Sequence, residues 1–142
     1  MTINTVLCLI AIVTAPITPP QSPVYQIVVN ASNPVSSLSR DEVSRLFLKR
    51  QPSWKAGGLV LPVDLERGSK ARDAFTKAVH GRSVSAIGTF WQQQIFAGKQ
   101  LPPPEKADGD VVDHVRANPN AIGYITAGTA LGNGVKIITV SH

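Results

Sequence analysis

The sequence has little of the chemistry on which enzymes and metalloproteins depend. It contains one cysteine, Cys8, and three histidines, His80, His114 and His142, whose spacing matches no metal site. It also lacks a Gly-x-Ser-x-Gly nucleophile elbow and a glycine-rich phosphate loop. These absences predict a protein that is not an enzyme, with no catalytic residue, no metal and no cofactor.

Charged residues are also scarce, at 16% of the 142 residues, whereas 43% are hydrophobic, a balance typical of one folded domain. The net charge of +5 arises within residues 40–82, which hold ten Lys or Arg and five Asp or Glu; residues 83–142 hold four of each. This excess predicts either a patch that attracts anions, acidic partners or membrane headgroups, or simply a solvated basic surface. Nucleic-acid binding is not favoured, because aromatic and basic residues do not alternate.

The first fifteen residues differ from the rest because they contain an apolar run without any charge. The run is too short to span a bilayer and ends at Val13-Thr14-Ala15, a pattern that signal peptidase accepts. We therefore expect a signal peptide over residues 1–15, a Pro-rich linker over 16–24 and a domain over 25–142 in the periplasm or outside the cell. Cys8 would be removed with the signal. The alternative is a buried N-terminal strand or helix, which the lack of Lys or Arg before the run and Pro16 after it would favour.

Beyond the linker, the apolar spacing predicts strands at 25–30, 59–63, 121–125 and 135–140. Helices are expected to begin at Ser39, Gly68-Ser69, Ser83 and Asp108 or Asp110. The order indicates an α/β fold, a single three-layer domain with a mixed sheet of about four to five strands. The side chains expected to be buried together are Leu38, Val43, Leu46, Phe75, Val79, Ile87, Trp91 and Ile122.

The second predicted helix starts with an unusual concentration of positive charge. Free N–H groups at a helix N-terminus favour acidic residues, yet Arg67 precedes this helix and Lys70 and Arg72 lie in its first turn. Gly68 permits close backbone approach and Ser69 supplies a hydroxyl. The pattern favours an anion-binding site formed by these five residues. The alternative is a helix that Ser69 merely caps, with Asp73 offsetting the charge and with Lys70 and Arg72 directed to water.

Three segments resemble, in the same order, the phosphate-binding proteins of ABC transporters. Residues 27–54 contain a strand that ends in asparagine, a Leu-Ser helix start, a Leu-Phe helix end and a following tryptophan. Residues 68–75 are similar to the family's serine-rich anion turn and helix. Residues 118–124, Asn-Pro-Asn-Ala-Ile-Gly-Tyr, are similar to its Pro-Gly-Ala-Ile-Gly-Tyr segment. The likeness covers residues 27–125.

Such proteins hold a phosphate between two lobes, and the chain is similar to the second lobe. The resemblance implies an exported solute-binding-like protein, linked to phosphate uptake, that captures phosphate or a related oxyanion without breaking a bond. A protein partner or a second copy would close the open lobe. The family has an arginine where Leu65 stands and Gly-Thr where Lys70 and Ala71 stand, so Arg67 or Arg72 would have to substitute. The alternative is an interaction module that keeps the lobe fold without the ligand.

Overall fold

The computed structural model describes residues 11–16 and 23–142. Residues 1–10 of the predicted signal peptide, with Cys8, and residues 17–22 of the predicted linker lie outside the described residues. Residues 11–16 are exposed and form no helix or strand. Within the described ranges, no helix combines the length and the apolar character that a membrane span requires.

The described chain folds as short strands alternating with helices, which confirms the predicted α/β class. Each predicted strand and helix is present, and three further strands of two or three residues occur. In chain order the elements are β1 (Tyr25–Asn30), β2 (Ser37–Ser39), α1 (Arg40–Phe47), β3 (Leu61–Pro62), β4 (Asp64–Leu65), α2 (Lys70–Phe75) followed by a π-helical turn (Thr76–His80), α3 (Val84–Phe96), β5 (Glu105–Lys106), α4 (Asp108–Ala117), β6 (Ala121–Thr126) and β7 (Val135–Ser141).

The main sheet has five strands in the order β2-β7-β1-β6-β3. β1 is antiparallel to both β6 and β7, whereas β2 is parallel to β7 and β3 is parallel to β6. A separate parallel pair joins β4 to β5. The predicted mixed sheet is therefore confirmed, and its centre is the β-branched strand β1.

Two neighbouring residues of β6 show that helices cover both faces of this sheet. The ring of Tyr124 contacts Phe75 of α2 and Phe47 of α1 on one face. On the other face, a Cβ added to Gly123 would lie 2.7 Å from Val111 of α4. Successive residues of a strand point to opposite faces, so the sheet forms the middle of three layers.

Three serines cap the helices as their positions predict, because each hydroxyl accepts an otherwise unpaired backbone N–H. The N–O distances are 3.2 Å at Ser39, 2.9 Å at Ser69 and 3.1 Å at Ser83. Helix α4 begins at Asp108 without a side-chain cap. The carboxylate of Asp108 instead accepts hydrogen bonds from the backbone N–H and the hydroxyl of Thr126, at 2.7 and 3.0 Å. These two bonds connect α4 to the end of β6.

All eight side chains predicted to form the core are buried, but they do not form one cluster. Six of them belong to the main core around the sheet. Ile87 and Trp91 of α3 pack instead with Leu48 in a second, smaller cluster. The reason is that α3 lies against the π-helical turn rather than on the sheet, so its apolar face has a separate partner.

The predicted strand at 59–63 is divided in a way that positions the candidate site. β3 pairs with β6, and the N–H of Val63 still donates to Ile122 at 2.9 Å. The next N–H, that of Asp64, donates to Pro104 at 2.8 Å, and the chain continues as β4 beside β5. Pro62, which has no N–H to offer, is the last residue of β3, and the change of partner follows between Val63 and Asp64. The exchange of partners carries Asp64 and Leu65 to the start of α2.

Candidate functional site

The predicted anion turn is a well-formed helix start. Gly68 has a φ of +86°, a conformation that glycine adopts without strain, and it turns the chain into α2. The Ser69 hydroxyl accepts a hydrogen bond from the N–H of Arg72. The backbone carbonyl of Ser69 accepts a hydrogen bond from the N–H of Asp73 at 3.2 Å. The Ser69 hydroxyl proton is still available to a ligand. The N–H groups of Lys70 and Ala71, at the first two helical positions, have no acceptor within the helix.

Arg67 and Lys70 have exposed side chains on this turn. The guanidinium Nε of Arg67 donates to Glu105 Oε1 at 3.0 Å, although 72% of the side chain remains accessible. No ion pair of Lys70 occurs among the described residues, and the residue is exposed. An exposed arginine in a single ion pair can change partners easily, because the pair contributes little stability in water.

Arg72 is held differently, since only 7% of its side chain is exposed. Its Nη1 donates to the carbonyl oxygen of Leu65 at 2.8 Å and lies 3.1 Å from Glu105 Oε1. Its Nη2 lies 3.8 Å from Asp64 Oδ2. The side chain therefore turns inward from α2 and joins the helix to both β4 and β5.

The two carboxylates of this cluster are in different electrostatic environments. Burial raises the pKa of Asp64, and the charge of Arg72 and the 2.8 Å hydrogen bond from the Tyr124 hydroxyl only partly oppose the rise. Partial burial would also raise the pKa of Glu105, but the hydrogen bond from Arg67 and the charge of Arg72 outweigh it and hold that pKa below its usual range. Burial also raises the pKa of Tyr124, which keeps its phenol protonated as the donor to Asp64.

The structure thus separates the five predicted site residues into three groups. Arg67 and Arg72 both contact Glu105 Oε1. Gly68 forms the turn and Ser69 caps the helix. The side chain of Lys70 is exposed to solvent. Two guanidinium groups face two carboxylates, so the cluster is close to neutral when both carboxylates are ionised. An oxyanion that approached the arginines would compete with Glu105.

Sequence reasoning missed Asp64, Glu105 and Tyr124. The side chains that meet here come from β4, β5, α2 and β6, and Tyr124 lies 60 positions from the Asp64 that it contacts. No local spacing relates them. The one available signal was the tyrosine of the 118–124 segment, which the sequence marks as part of a motif without indicating what its hydroxyl contacts.

A cavity of about 350 Å³ lies between this cluster and α3. Asp64, Glu105 and the two arginines line one side, and the polar side chains of α3, among them Ser85, Thr89 and Gln92, line the other. Its size lies at the lower end of the range for small-molecule sites. The lining supplies hydrogen-bond donors and acceptors of both charge signs, which suits reversible binding of a small polar solute.

No protein-family model matches the chain, and no curated protein matches it. Several solved structures do share its fold. One is a protein of Clostridium perfringens, assigned as a phosphate ABC transporter substrate-binding protein and solved with bound phosphate. It is 23% identical to this chain in sequence, and the two structures align with a TM-score of 0.64 over 82% of this chain. An ABC-type phosphate transport receptor of Vibrio cholerae has 21% identity and a TM-score of 0.63, again over 82% of this chain.

A third structure, assigned to phosphate binding in Planctomyces limnophilus, has 15% identity, a TM-score of 0.62 and 82% coverage of this chain. The chain spans less than half the length of each of these proteins, at 44%, 45% and 41%. At such identities the likeness concerns the fold. It confirms that the chain forms a lobe like those of phosphate-binding proteins, as the three sequence segments predict.

Proposed function

We propose that this domain is an exported solute-binding-like protein that captures phosphate or a related oxyanion reversibly at the start of α2. The observation that best supports the proposal is the meeting of Arg67 and Arg72 beside an open cavity and next to the Ser69 turn. Guanidinium groups, a hydroxyl and helix N-terminal amides are the donors that proteins commonly offer to oxyanions. The shared fold with phosphate-binding proteins agrees with this chemistry.

Arg72 would substitute for the arginine that the family places at position 65. Its Nη1 lies 2.8 Å from the carbonyl oxygen of Leu65, so the sequence supplies a guanidinium near that position from the neighbouring helix. Arg67 would leave Glu105 and turn to the anion, because its side chain is exposed and held there by one ion pair. Exchange with Glu105 reduces the net gain, and an open site leaves the anion partly hydrated. The expected affinity is therefore modest.

Calorimetric titration with phosphate, repeated with sulfate and with chloride as the ionic-strength control, tests the proposal. Arg67→Ala and Ser69→Ala should each weaken binding, whereas Lys77→Ala, on the exposed surface of the π-helical turn, should not. Thermal melting with and without phosphate gives a second readout, because a ligand that binds only the folded state raises the melting temperature. The comparison must use the shift within each variant, since loss of the Ser69 cap alone costs about 1 kcal/mol.

Glu105→Gln is the sharper variant, because it distinguishes a site from a merely basic surface. If Glu105 competes with the oxyanion for both arginines, its neutralisation should tighten phosphate binding. Glu66→Gln makes the same change of charge on the neighbouring exposed glutamate and should have a smaller effect. Equal effects of the two variants would indicate a nonspecific response to net charge and would count against a site at α2.

Export forms a separate part of the proposal, supported by the apolar run within residues 1–15. N-terminal sequencing of protein recovered from the periplasm or the medium should give a first residue between Pro16 and Pro23. Recovery from the cytosol with Met1 still attached would contradict export and leave the ligand proposal untouched.

A second candidate function, an interaction module without a ligand, is favoured by one observation. The cluster of Arg67, Arg72, Asp64 and Glu105 is paired internally, and no buried side-chain nitrogen or oxygen of the described residues lacks a hydrogen-bond partner. A cluster that satisfies itself needs no anion to hold it. The absence of any heat or melting shift at millimolar phosphate, in both the parent and Glu105→Gln, would favour this function.

A further inference from the structure

Helix α3 and the segment that follows it expose three large apolar side chains within residues 95–101. The exposed fractions are 47% for Ile95, 89% for Phe96 and 68% for Leu101. Ile95 and Leu101 line a shallow groove of about 230 Å³ together with Lys99. We call these four residues the α3 tip. Isolated exposed apolar residues are normal on protein surfaces, whereas a contiguous group of them commonly marks an interaction site.

The α3 tip is held by ordered structure on both sides. The helix closes with the N–H of Ala97 bonded to Gln93 at 3.0 Å, and that of Lys99 bonded to Gln94 at the same distance. The side chain of Gln100 donates to the carbonyl of Lys49 at 3.3 Å. Residues 102–104 are all proline, which restricts the following backbone to an extended form. The apolar side chains are therefore displayed from a fixed position.

The surroundings of the tip are basic and contain no carboxylate in the adjoining sequence. Residues 43–52 and 74–104 include six Lys or Arg and no Asp or Glu, and the next carboxylate along the chain, Glu105, lines the cavity on the α2 side. The Gln100 contact brings Lys49 to the tip, and the guanidinium of Arg50 lies 5.5 Å from the centre of the Phe90 ring of α3. We call Lys49, Arg50 and Lys99 the basic rim, because Lys99 lines the groove and the other two residues contact Gln100 and Phe90 beside it.

The charge of this surface determines which partner fits it. A second copy of the chain would bring one basic rim against another, which like-charge repulsion disfavours. A partner of complementary chemistry must be both anionic and able to accept apolar side chains that project outward. The surface of a bilayer with anionic lipids has both properties, since its headgroups attract Lys and Arg and its acyl boundary takes up Phe, Leu and Ile.

We propose that the α3 tip docks the protein on a membrane surface that contains anionic lipid. Ile95, Phe96 and Leu101 enter the headgroup region, while Lys49, Arg50 and Lys99 contact lipid phosphates. Of the four tip residues, Ile95 also lines the cavity beside the start of α2, whereas Phe96, Lys99 and Leu101 do not. The docking is therefore tested at Lys99 and Leu101, which lie outside the proposed oxyanion site.

Flotation of the purified protein with vesicles tests the docking. Vesicles of phosphatidylcholine with phosphatidylglycerol should bind the protein, vesicles of phosphatidylcholine alone should bind it much less, and added salt should weaken the binding through screening. Leu101→Ser should lower the partition coefficient roughly fivefold to tenfold, because a leucine no longer leaves water. Lys99→Gln should lower it about fivefold, the effect of one lost cation near an anionic surface.

Matched variants elsewhere on the fold provide the controls. Leu59 is 66% exposed, almost the same as Leu101, so Leu59→Ser makes an equal chemical change away from the tip. Lys136→Gln removes a cation from β7 in the same way, and Ser69→Ala separates lipid docking from the proposed oxyanion site. All three should bind vesicles as the parent does. Every variant keeps the same N-terminal residues, so any difference between variants arises from the substituted position.

Three results would overturn the proposal. The first is absence of binding to phosphatidylglycerol vesicles, which would assign the patch to a protein partner. The second is equal binding to vesicles without anionic lipid. The third is an equal loss of binding in Leu101→Ser and Leu59→Ser.

Discussion

The ring of Tyr124 lies flat on the ring of Phe75, with centroids 3.7 Å apart and planes inclined by 8°. Phe47 meets both rings edge-on, at 4.9 Å from Phe75 and 5.6 Å from Tyr124. The stack joins β6 to α2, while the Tyr124 hydroxyl extends past it to Asp64. The tyrosine of the 118–124 segment therefore packs in the core and also contacts the candidate site.

Removing one ring of this stack should test whether α2 faces the core as described. Phe75 is fully buried, so Phe75→Ala should lower the free energy of unfolding by about 3–5 kcal/mol through lost burial and a cavity. Denaturant titration measures the loss. Phe96→Ala removes the same ring from an 89% exposed position and should change stability by less than about 0.5 kcal/mol. A loss below about 1 kcal/mol for Phe75→Ala would contradict the packing.

Gly123, next to the stacked tyrosine, should tolerate no side chain. An added Cβ would lie 2.7 Å from Val111 Cγ1 and 2.8 Å from Val63 Cγ1, so α4 would have to move away from the sheet. Gly123→Ala should therefore destabilise the fold by about 1–3 kcal/mol. Gly109, in α4, has nothing near its added Cβ, and Gly109→Ala should stabilise by roughly 0.5–1 kcal/mol. Thermal melts with the same sign for both would contradict the close packing of α4.

Features encoded by neighbouring residues could be predicted from the sequence. The caps at Ser39, Ser69 and Ser83 follow from a side chain and an N–H three positions later, so short-range spacing is sufficient. The strands β2, β4 and β5 are two or three residues long and owe their existence to partners elsewhere in the chain. Such strands carry no periodic signal of their own.

Of the candidate site, only the residues at the start of α2 could be predicted, because only they are neighbours in the sequence. The unusual charges at 67–72 mark a helix start, which is a local property. Whether an arginine there reaches solvent or turns inward depends on Glu105. Glu105 comes close only because β5 pairs with β4, and β5 lies some forty residues further along the chain. The inward turn of Arg72 thus required the fold, whereas the exposure of Lys70 agrees with the alternative in which the cations of the first turn point to water.

His80 should make the protein less stable in mild acid. Burial, with the charges of Arg82 and Arg50, lowers its pKa from 6.5 to about 4, and its Nδ1 lies 2.8 Å from the Ser44 hydroxyl. Between these pH values the unfolded chain binds a proton that the folded chain does not, so stability falls as pH falls from about 6.5 to about 4.

The full effect of His80 is about 3 kcal/mol, and His80→Gln should remove that part of the pH dependence. Chemical denaturation at several pH values measures it. His142→Gln, at the exposed chain end, should retain the parent slope. Identical slopes for the parent and His80→Gln would contradict the burial of a neutral imidazole.

Arg72 should be essential because it compensates the buried carboxylate of Asp64. Arg72→Met leaves that carboxylate with the Tyr124 hydroxyl and the charge of Arg67, and breaking a buried pair on one side costs about 3–5 kcal/mol near neutral pH. The folded pKa of Asp64 is already raised, and loss of Arg72 raises it further, so the cost belongs to the ionised form. The cost should shrink as pH falls through the folded pKa toward the unfolded value of 3.8, below which both states are protonated. Adding Asp64→Asn should recover part of the lost stability at neutral pH, because the amide carries no charge and still accepts from Tyr124. A penalty that is independent of pH and unchanged in the double variant would show that Arg72 acts through the carbonyl of Leu65 alone.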